Sequence, residues 1–162
     1  MTDRIRAGEL ARMRLPVPVP WVFVLTYLAG VALEFAFQLG GFTRYHNFST
    51  AAGSVVFVLG AALAGWGWSI FYRARTTRVP GETSSTLVTS GPYRITRNPM
   101  YVGLSIAYLG EAGIRHEVVP VILLPLTIAY LSLVVIPIEE RRLYEVFGAE
   151  YARYRNRVRR WL

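Results

Sequence analysis

Three polar residues, Arg94, Arg97 and Asn98, lie directly before an apolar stretch in the segment GPYRITRNPMYVG. A second polar pair, Glu139 and Glu140, directly follows the next apolar stretch. The planar fork of an arginine matches a carboxylate or phosphate through two parallel hydrogen bonds. Carboxylates at a helix end, where the dipole disfavours negative charge, need a local partner such as ligand hydroxyl or ammonium groups. Together the clusters predict a site for a small zwitterion.

Four apolar stretches must position these two clusters. The chain has 162 residues, of which 53% are hydrophobic and 14% aromatic. A helix needs about 20 apolar residues to cross a bilayer, and a soluble bundle would need polar helix faces that two of the stretches lack. We therefore expect an all-α integral membrane bundle of about four transmembrane helices, forming one domain over residues 1–162. The expected spans are residues 21–39, 51–72, 100–114 and 118–138.

The third and first spans need separate comment. The third has only 15 residues and contains Glu111, so a short or tilted helix is expected there. The first follows a basic tail, as the apolar region of a signal peptide does. It is longer than the usual ~7 to 15 residues, and no A-x-A-like site follows it, so we expect a retained span.

The positive charge is concentrated in three segments. All eighteen basic residues are arginine and the formal net charge is +8. Sixteen of them lie in the tail 1–20, in the loop 73–99, or from residue 141 onward. Because positive charge marks the cytoplasmic side, we expect both termini and this loop in the cytoplasm, with the protein in the inner membrane. No nucleic-acid motif is present, so anionic lipids are the expected partners of the arginines.

Metal and thiol chemistry are not indicated. The chain has no cysteine, and its two histidines, His46 and His116, fall in the predicted external loops. Neither a thiolate nucleophile nor a metal site is therefore expected. Glu34, near the outer end of the first span, is interpreted as reaching the outer lipid headgroups.

Helix packing should bring the two polar clusters together. A short external loop joins spans three and four, so these spans should form an antiparallel hairpin with both clusters at one level. In the second span, Gly53, Gly60 and Gly67 recur every seven residues and predict a smooth face for close helix packing. Residues 139–162 should form a C-terminal amphipathic helix at the interface.

Three blocks of sequence resemble one known superfamily, that of isoprenylcysteine carboxyl and phospholipid methyltransferases. The superfamily pattern has a Gly-x-Tyr-x-x-x-Arg-His-Pro-x-Tyr-x-Gly block, then a Glu-Glu pair, then a Phe-Gly-x-x-Tyr-x-x-Tyr tail. This chain has GPYRITRNPMYVG at 91–103, EERRL at 139–143 and FGAEYARY at 147–154. The chief departure is Asn98, which stands where the stricter pattern has histidine. Asparagine forms hydrogen bonds but does not titrate, so proton transfer at this position is not expected.

The resemblance implies S-adenosylmethionine bound at the cytoplasmic membrane face. Arg97 and Glu140 would then carry the catalytic handling of the cofactor, with Glu140 a possible base for an amine or thiol acceptor. The cofactor-binding residues that the resemblance implies are Arg94, Arg97, Asn98, Tyr101, Gly103, Glu139, Glu140, Tyr151 and Tyr154.

Several alternatives remain open at this point. The methyl acceptor could be an isoprenylcysteine-type carboxylate, a phospholipid amine, a quinone-like isoprenoid or a small thiol. Besides a membrane methyltransferase, two other functional hypotheses remain. The second is an NADPH-dependent membrane reductase related to sterol reductases, and the third is a non-catalytic lipid-binding membrane protein. The sequence does not indicate an oligomeric state.

Overall fold

The computed structural model describes residues 18–39, 46–73 and 86–162 of the chain. These residues form helices and no strand, which confirms the all-α fold class. The basic tail before residue 18, Arg44, and the loop residues 74–85 lie outside the described residues. The helices are α1 (Val19–Ala36), α2 (His46–Arg73), a short 3-10 turn (Gly91–Arg94), α3 (Pro99–Arg115), α4 (Val119–Tyr130), a π turn (Leu131–Val135), α5 (Ile136–Phe147) and α6 (Ala149–Arg157).

Three helices in the described part of the chain are long and apolar enough to cross a membrane. They are α1, α2 from Asn47 onward, and the continuous run Val119–Phe147 that joins α4, the π turn and α5. The predicted third span is α3, a helix of 17 residues. At 1.5 Å per residue α3 is about 25 Å long, which is shorter than the ~30 Å hydrocarbon core of a bilayer.

Helix α3 packs closely against α2 through small residues. A Cβ added to Gly60 would lie 2.3 Å from the backbone nitrogen of Ala107, and one added to Gly103 would lie 2.5 Å from that of Ala64. The backbones of the two helices therefore touch at these positions, as in other membrane helix pairs with small residues. The packing role predicted for the glycine stripe of the second span is confirmed. This interface fixes where the residues preceding α3 emerge from the bundle.

The π turn leaves one backbone carbonyl available to a side chain. The N–H of Ile136 donates to the carbonyl of Leu131, five residues back. The next residue in that register, Pro137, has no N–H, so the carbonyl of Ser132 receives no bond from it. Nη1 of Arg160 lies 3.4 Å from this carbonyl oxygen.

The C-terminal segment 139–162, predicted as one amphipathic helix, does not form a single helix, and that prediction is wrong in its bounds. Helix α5 extends the last span to Phe147, and Gly148 then adopts a positive φ of 48°, which a residue with a side chain rarely tolerates. The chain restarts as α6 and ends at Arg157. Residues 158–162, called the C-terminal strap below, run alongside the segment before α3, with a bridge between Thr96 and Arg159.

The interpretation of Glu34 as a headgroup contact is also wrong. Its side chain is buried, and its Oε2 accepts hydrogen bonds from the backbone N–H groups of Val118 (2.9 Å) and Val119 (3.0 Å). These groups lie at the N-terminus of α4, where N–H groups lack helical partners and the dipole attracts negative charge. Glu34 therefore fastens α1 to the start of α4.

Replacing Gly60 by alanine should weaken the α2–α3 interface. The added methyl group would collide with backbone, which cannot move as a flexible side chain can, so the free energy of unfolding should fall by about 1–3 kcal/mol. Unfolding of the detergent-solubilised protein, followed by circular dichroism, measures this change.

Gly65→Ala is the matched control in the same helix, because among the described residues no atom outside the local helix backbone lies within 4 Å of a Cβ added there. Its stability should stay unchanged or rise by up to about 1 kcal/mol through helix propensity. Equal effects of the two substitutions would contradict the packing described here.

Candidate functional site

The two polar clusters meet at one end of the bundle in a direct ion pair. Nη1 of Arg97 lies 2.8 Å from Oε1 of Glu140, and each side chain is only 12% exposed. This contact confirms that the hairpin of spans three and four brings the clusters to one level. The sequence reasoning placed a ligand between them, whereas the two side chains touch. Arg97 and Glu140 therefore lie on the same side of the site and do not face each other across it.

A compact turn presents Arg97 at the start of α3. Gly91 has a φ of 59°, and the 3-10 turn that begins there buries Pro92 and Tyr93. The hydroxyl of Thr96 then accepts a hydrogen bond from the backbone N–H of Asn98, at 3.1 Å. Proline at position 99 begins α3, where its missing N–H would in any case have no helical partner. These features hold the backbone on both sides of Arg97.

The C-terminal strap binds this turn through backbone carbonyls. The N–H of Arg97 donates to the carbonyl of Arg159 at 2.9 Å. The carbonyl of Arg160 accepts from Nδ2 of Asn98 at 2.9 Å and from the hydroxyl of Thr96 at 3.1 Å. The side-chain amide of Asn98 is therefore committed to the chain's own backbone.

A cleft lies beside the ion pair. Its cavity volume is ≈ 60 Å³, which is room for a few water molecules. One of its acidic residues, Glu139, accepts a hydrogen bond from the hydroxyl of Tyr101 at 2.7 Å. The residues that line the cleft are Phe71, Thr86, Leu87, Val88, Tyr93, Arg97, Asn98, Ile136, Glu139, Glu140, Leu143, Tyr151 and Tyr154.

Two buried tyrosines of α6 close one side of the cleft. The hydroxyl of Tyr154 donates to the carbonyl of Tyr93 at 2.8 Å, and the hydroxyl of Tyr151 accepts from Nη1 of Arg97 at 3.5 Å. Burial raises the pKa of Tyr151, and the nearby charge of Glu140 raises it further. Burial also raises the pKa of Tyr154. Both phenols are therefore neutral at physiological pH and act as hydrogen-bonding groups.

Most of the predicted site residues lie on this cleft. Arg97, Asn98, Glu139, Glu140, Tyr151 and Tyr154 line it. Tyr101 lies behind Glu139 and contacts it directly. Whether these residues bind a cofactor remains a prediction.

Two predicted site residues lie elsewhere. Arg94 is exposed and does not line the cleft. Gly103 lies on the face of α3 that packs against α2, where a Cβ would collide with Ala64. Gly103 therefore serves helix packing, because it lies where the backbone of α3 meets the backbone of α2.

The sequence reasoning missed Arg160, which binds the same carboxylate as Arg97. Nη2 of Arg160 lies 2.7 Å from Oε2 of Glu140, and Nε lies 3.2 Å from Oε1. The strap is anchored further by Trp161, whose Nε1 donates to the hydroxyl of Ser132 at 3.2 Å. No metal-binding group of three or more His, Asp or Glu side chains occurs within residues 18–39, 46–73 and 86–162.

The fold and the cleft define a helical membrane protein with an acidic and arginine-containing site at one bundle end. The phospholipid methyltransferase family model matches residues 48–150, and the chain belongs to that family. The superfamily resemblance read from the three sequence blocks is thereby confirmed. The matched residues include most of α2, all of α3, the last span and both clusters of the site.

One named relative is the cobalt-zinc-cadmium resistance protein CzcN of Cupriavidus metallidurans. It is 36% identical over 100 residues, which cover 59% of this chain and 44% of the relative. The match therefore spans less than half of that protein's length. No solved structure matches the chain significantly.

Tyr154→Phe should destabilise the protein by about 1–2 kcal/mol, because it removes the donor to a buried carbonyl. Tyr151→Phe is the matched control, since its hydroxyl makes one long contact within the described part of the chain, and it should cost less. Unfolding free energies in detergent at neutral pH test this difference.

The pH dependence of the same variant gives a second measurement. The pKa of Tyr154 is raised above its ordinary value of 10.0 in the folded protein, so its stabilising effect is complete below about pH 10 and is lost as the pH rises through the folded value. The wild type should therefore lose more stability above about pH 10 than Tyr154→Phe. Parallel pH profiles would contradict the buried, neutral phenol.

Proposed function

We propose that this protein is an S-adenosylmethionine-dependent membrane methyltransferase that uses the cleft beside Arg97 and Glu140. The observation that carries the proposal is the joint placement of Arg97, Glu139 and Glu140 on one cleft in a chain of the phospholipid methyltransferase family. Catalytic handling of the cofactor is assigned to Arg97 and Glu140, as the sequence motif suggests.

The chemistry of the lining residues fits the cofactor. A guanidinium suits its carboxylate, and two carboxylates suit its ammonium and ribose hydroxyl groups. Nε of Arg97 is buried and has no hydrogen-bond partner among the described residues, so one buried donor remains for a ligand. The cavity volume of ≈ 60 Å³ is below the ~300–1,000 Å³ of ordinary ligand pockets. The cleft therefore has to widen to admit the whole molecule.

The residues of the chain would bind the cofactor and orient the acceptor, and the bound cofactor would supply a reactive methyl group. Arg97 would hold the anionic end, and Glu139 would accept hydrogen bonds from the cationic or hydroxyl-bearing part. Tyr151 and Tyr154, both neutral, would exclude water from one side of the cleft. The main task of the protein would be to align the acceptor behind the methyl group.

The acceptor proposed is a lipophilic or small molecule at the cytoplasmic membrane face. The arginine distribution supports that face and the inner membrane, with both termini cytoplasmic and anionic lipids as neighbours. An acceptor dissolved in the bilayer could reach the site between helices. A carboxylate acceptor would need no base. An amine or thiol would have to lose a proton, and Asn98 does not titrate, so Glu139 or Glu140 would take that role.

Binding measurements on detergent-solubilised protein test the cofactor. Wild-type protein should bind S-adenosylhomocysteine with a micromolar dissociation constant in calorimetry and should not bind NADPH. NADPH binding instead would indicate the reductase, and binding of neither ligand would indicate the non-catalytic alternative. Transfer of a radiolabelled methyl group into a total lipid extract would identify the acceptor class.

Glu139→Gln should weaken S-adenosylhomocysteine binding at least about tenfold, since it removes a charge that would pair with the ligand while retaining the acceptor for Tyr101. Glu139 is chosen because Arg97 and Glu140 form a largely buried ion pair, so removing either of them would test folding as well. Glu145→Gln, an exposed position on α5, is the matched control. Unchanged affinity in Glu139→Gln would contradict the site assignment.

A further inference from the structure

Arg160 reaches the site from behind Glu140. Its guanidinium makes two contacts with that carboxylate, at 2.7 Å and 3.2 Å, but its side chain does not line the cleft. Arg97 contacts the same carboxylate from the cleft side at 2.8 Å. One carboxylate is therefore shared by two guanidinium groups.

This sharing limits how Arg97 can pair with Glu140. Arg160 contacts both oxygens of Glu140, so Arg97 contacts that carboxylate through Nη1 and not through a two-bond fork. The buried Nε of Arg97 also lacks a hydrogen-bond acceptor among the described residues. Arg97 is thus prepared to receive an anionic group.

The backbone around Arg160 is fixed in advance. Its carbonyl is held by Asn98 and Thr96, and the next side chain, Trp161, is bonded to Ser132. Because the strap is already ordered, only the side-chain entropy of Arg160, and no further backbone entropy, is lost when Arg160 contacts Glu140. The contact is therefore a built part of the site and more than a surface ion pair.

We propose that Arg160 is a positioning residue that holds Glu140 away from full pairing with Arg97, so that Arg97 can bind the carboxylate end of the cofactor. This inference rests on the proposed function. Without Arg160, Glu140 would pair with Arg97 alone, and a ligand carboxylate would have to compete with it.

Two ligands separate this role from a structural one. S-adenosylhomocysteine carries the amino-acid carboxylate, and 5′-methylthioadenosine lacks the amino-acid end. In Arg160→Met, affinity for the first should fall about tenfold, the effect of losing one charge-assisted hydrogen bond. Affinity for the second should change less than about twofold. Calorimetry on wild type and variant in the same detergent provides both dissociation constants.

Three further variants complete the test. Arg160→Gln keeps hydrogen-bond donors but removes the charge, and it should show the same selective loss even where Arg160→Met folds poorly. Arg160→Lys keeps the charge and should retain the wild-type ratio of the two affinities within about threefold. Arg157→Met, an exposed arginine at the end of α6, is the matched control and should behave as wild type.

The outcomes are distinguishable. Equal losses for both ligands would show that Arg160 only maintains the fold, and unchanged affinities would show that it has no role; either result overturns the inference. In both cases, wild-type binding of S-adenosylhomocysteine would leave the proposed function intact. If the wild type binds neither S-adenosylhomocysteine nor 5′-methylthioadenosine, the proposed function is overturned, and this inference with it.

Discussion

The site depends on the carboxylate of Glu140, which joins three separate parts of the chain. It contacts Arg97 before α3 and Arg160 in the C-terminal strap, while Glu140 itself belongs to the last membrane-spanning helix. A buried charge is expensive unless it is paired, and removing one partner of such a pair destabilises a protein by about 3–5 kcal/mol. These residues must therefore come together as a unit, and the cleft exists only when they do.

The sequence predicted those parts of the fold that follow from hydrophobic length and chain connectivity. Long uncharged runs fix the membrane helices, and the short connection between α3 and α4 forces an antiparallel pair, so the meeting of Arg97 with Glu140 was predictable. Close packing of another helix against α2 was predictable too, since Gly60 lies in a regular stripe of small residues, but the stripe did not identify α3 as the partner. In each case the arrangement follows from local spacing.

Other features depend on contacts between distant residues and could not be predicted. Gly148 could have remained within a helix, but it has a positive φ and separates α5 from α6. Seven arginines follow residue 140, and their spacing could not identify Arg160 as the partner of Glu140. Gly103 belongs to the motif, yet its packing face is set by α2. The cap formed by Glu34 on α4 likewise requires knowing which helices touch.

A double-mutant cycle on Arg97 and Glu140 tests the central interaction most directly. The unfolding free energies of wild type, Arg97→Met, Glu140→Leu and the double variant would be measured in one detergent. Because the two side chains are largely buried and in direct contact, we predict a coupling energy of about 1–3 kcal/mol, with the double variant more stable than the sum of the single losses implies. If the effects of the two substitutions add within about 0.3 kcal/mol, the two side chains do not stabilise each other, which would contradict this account.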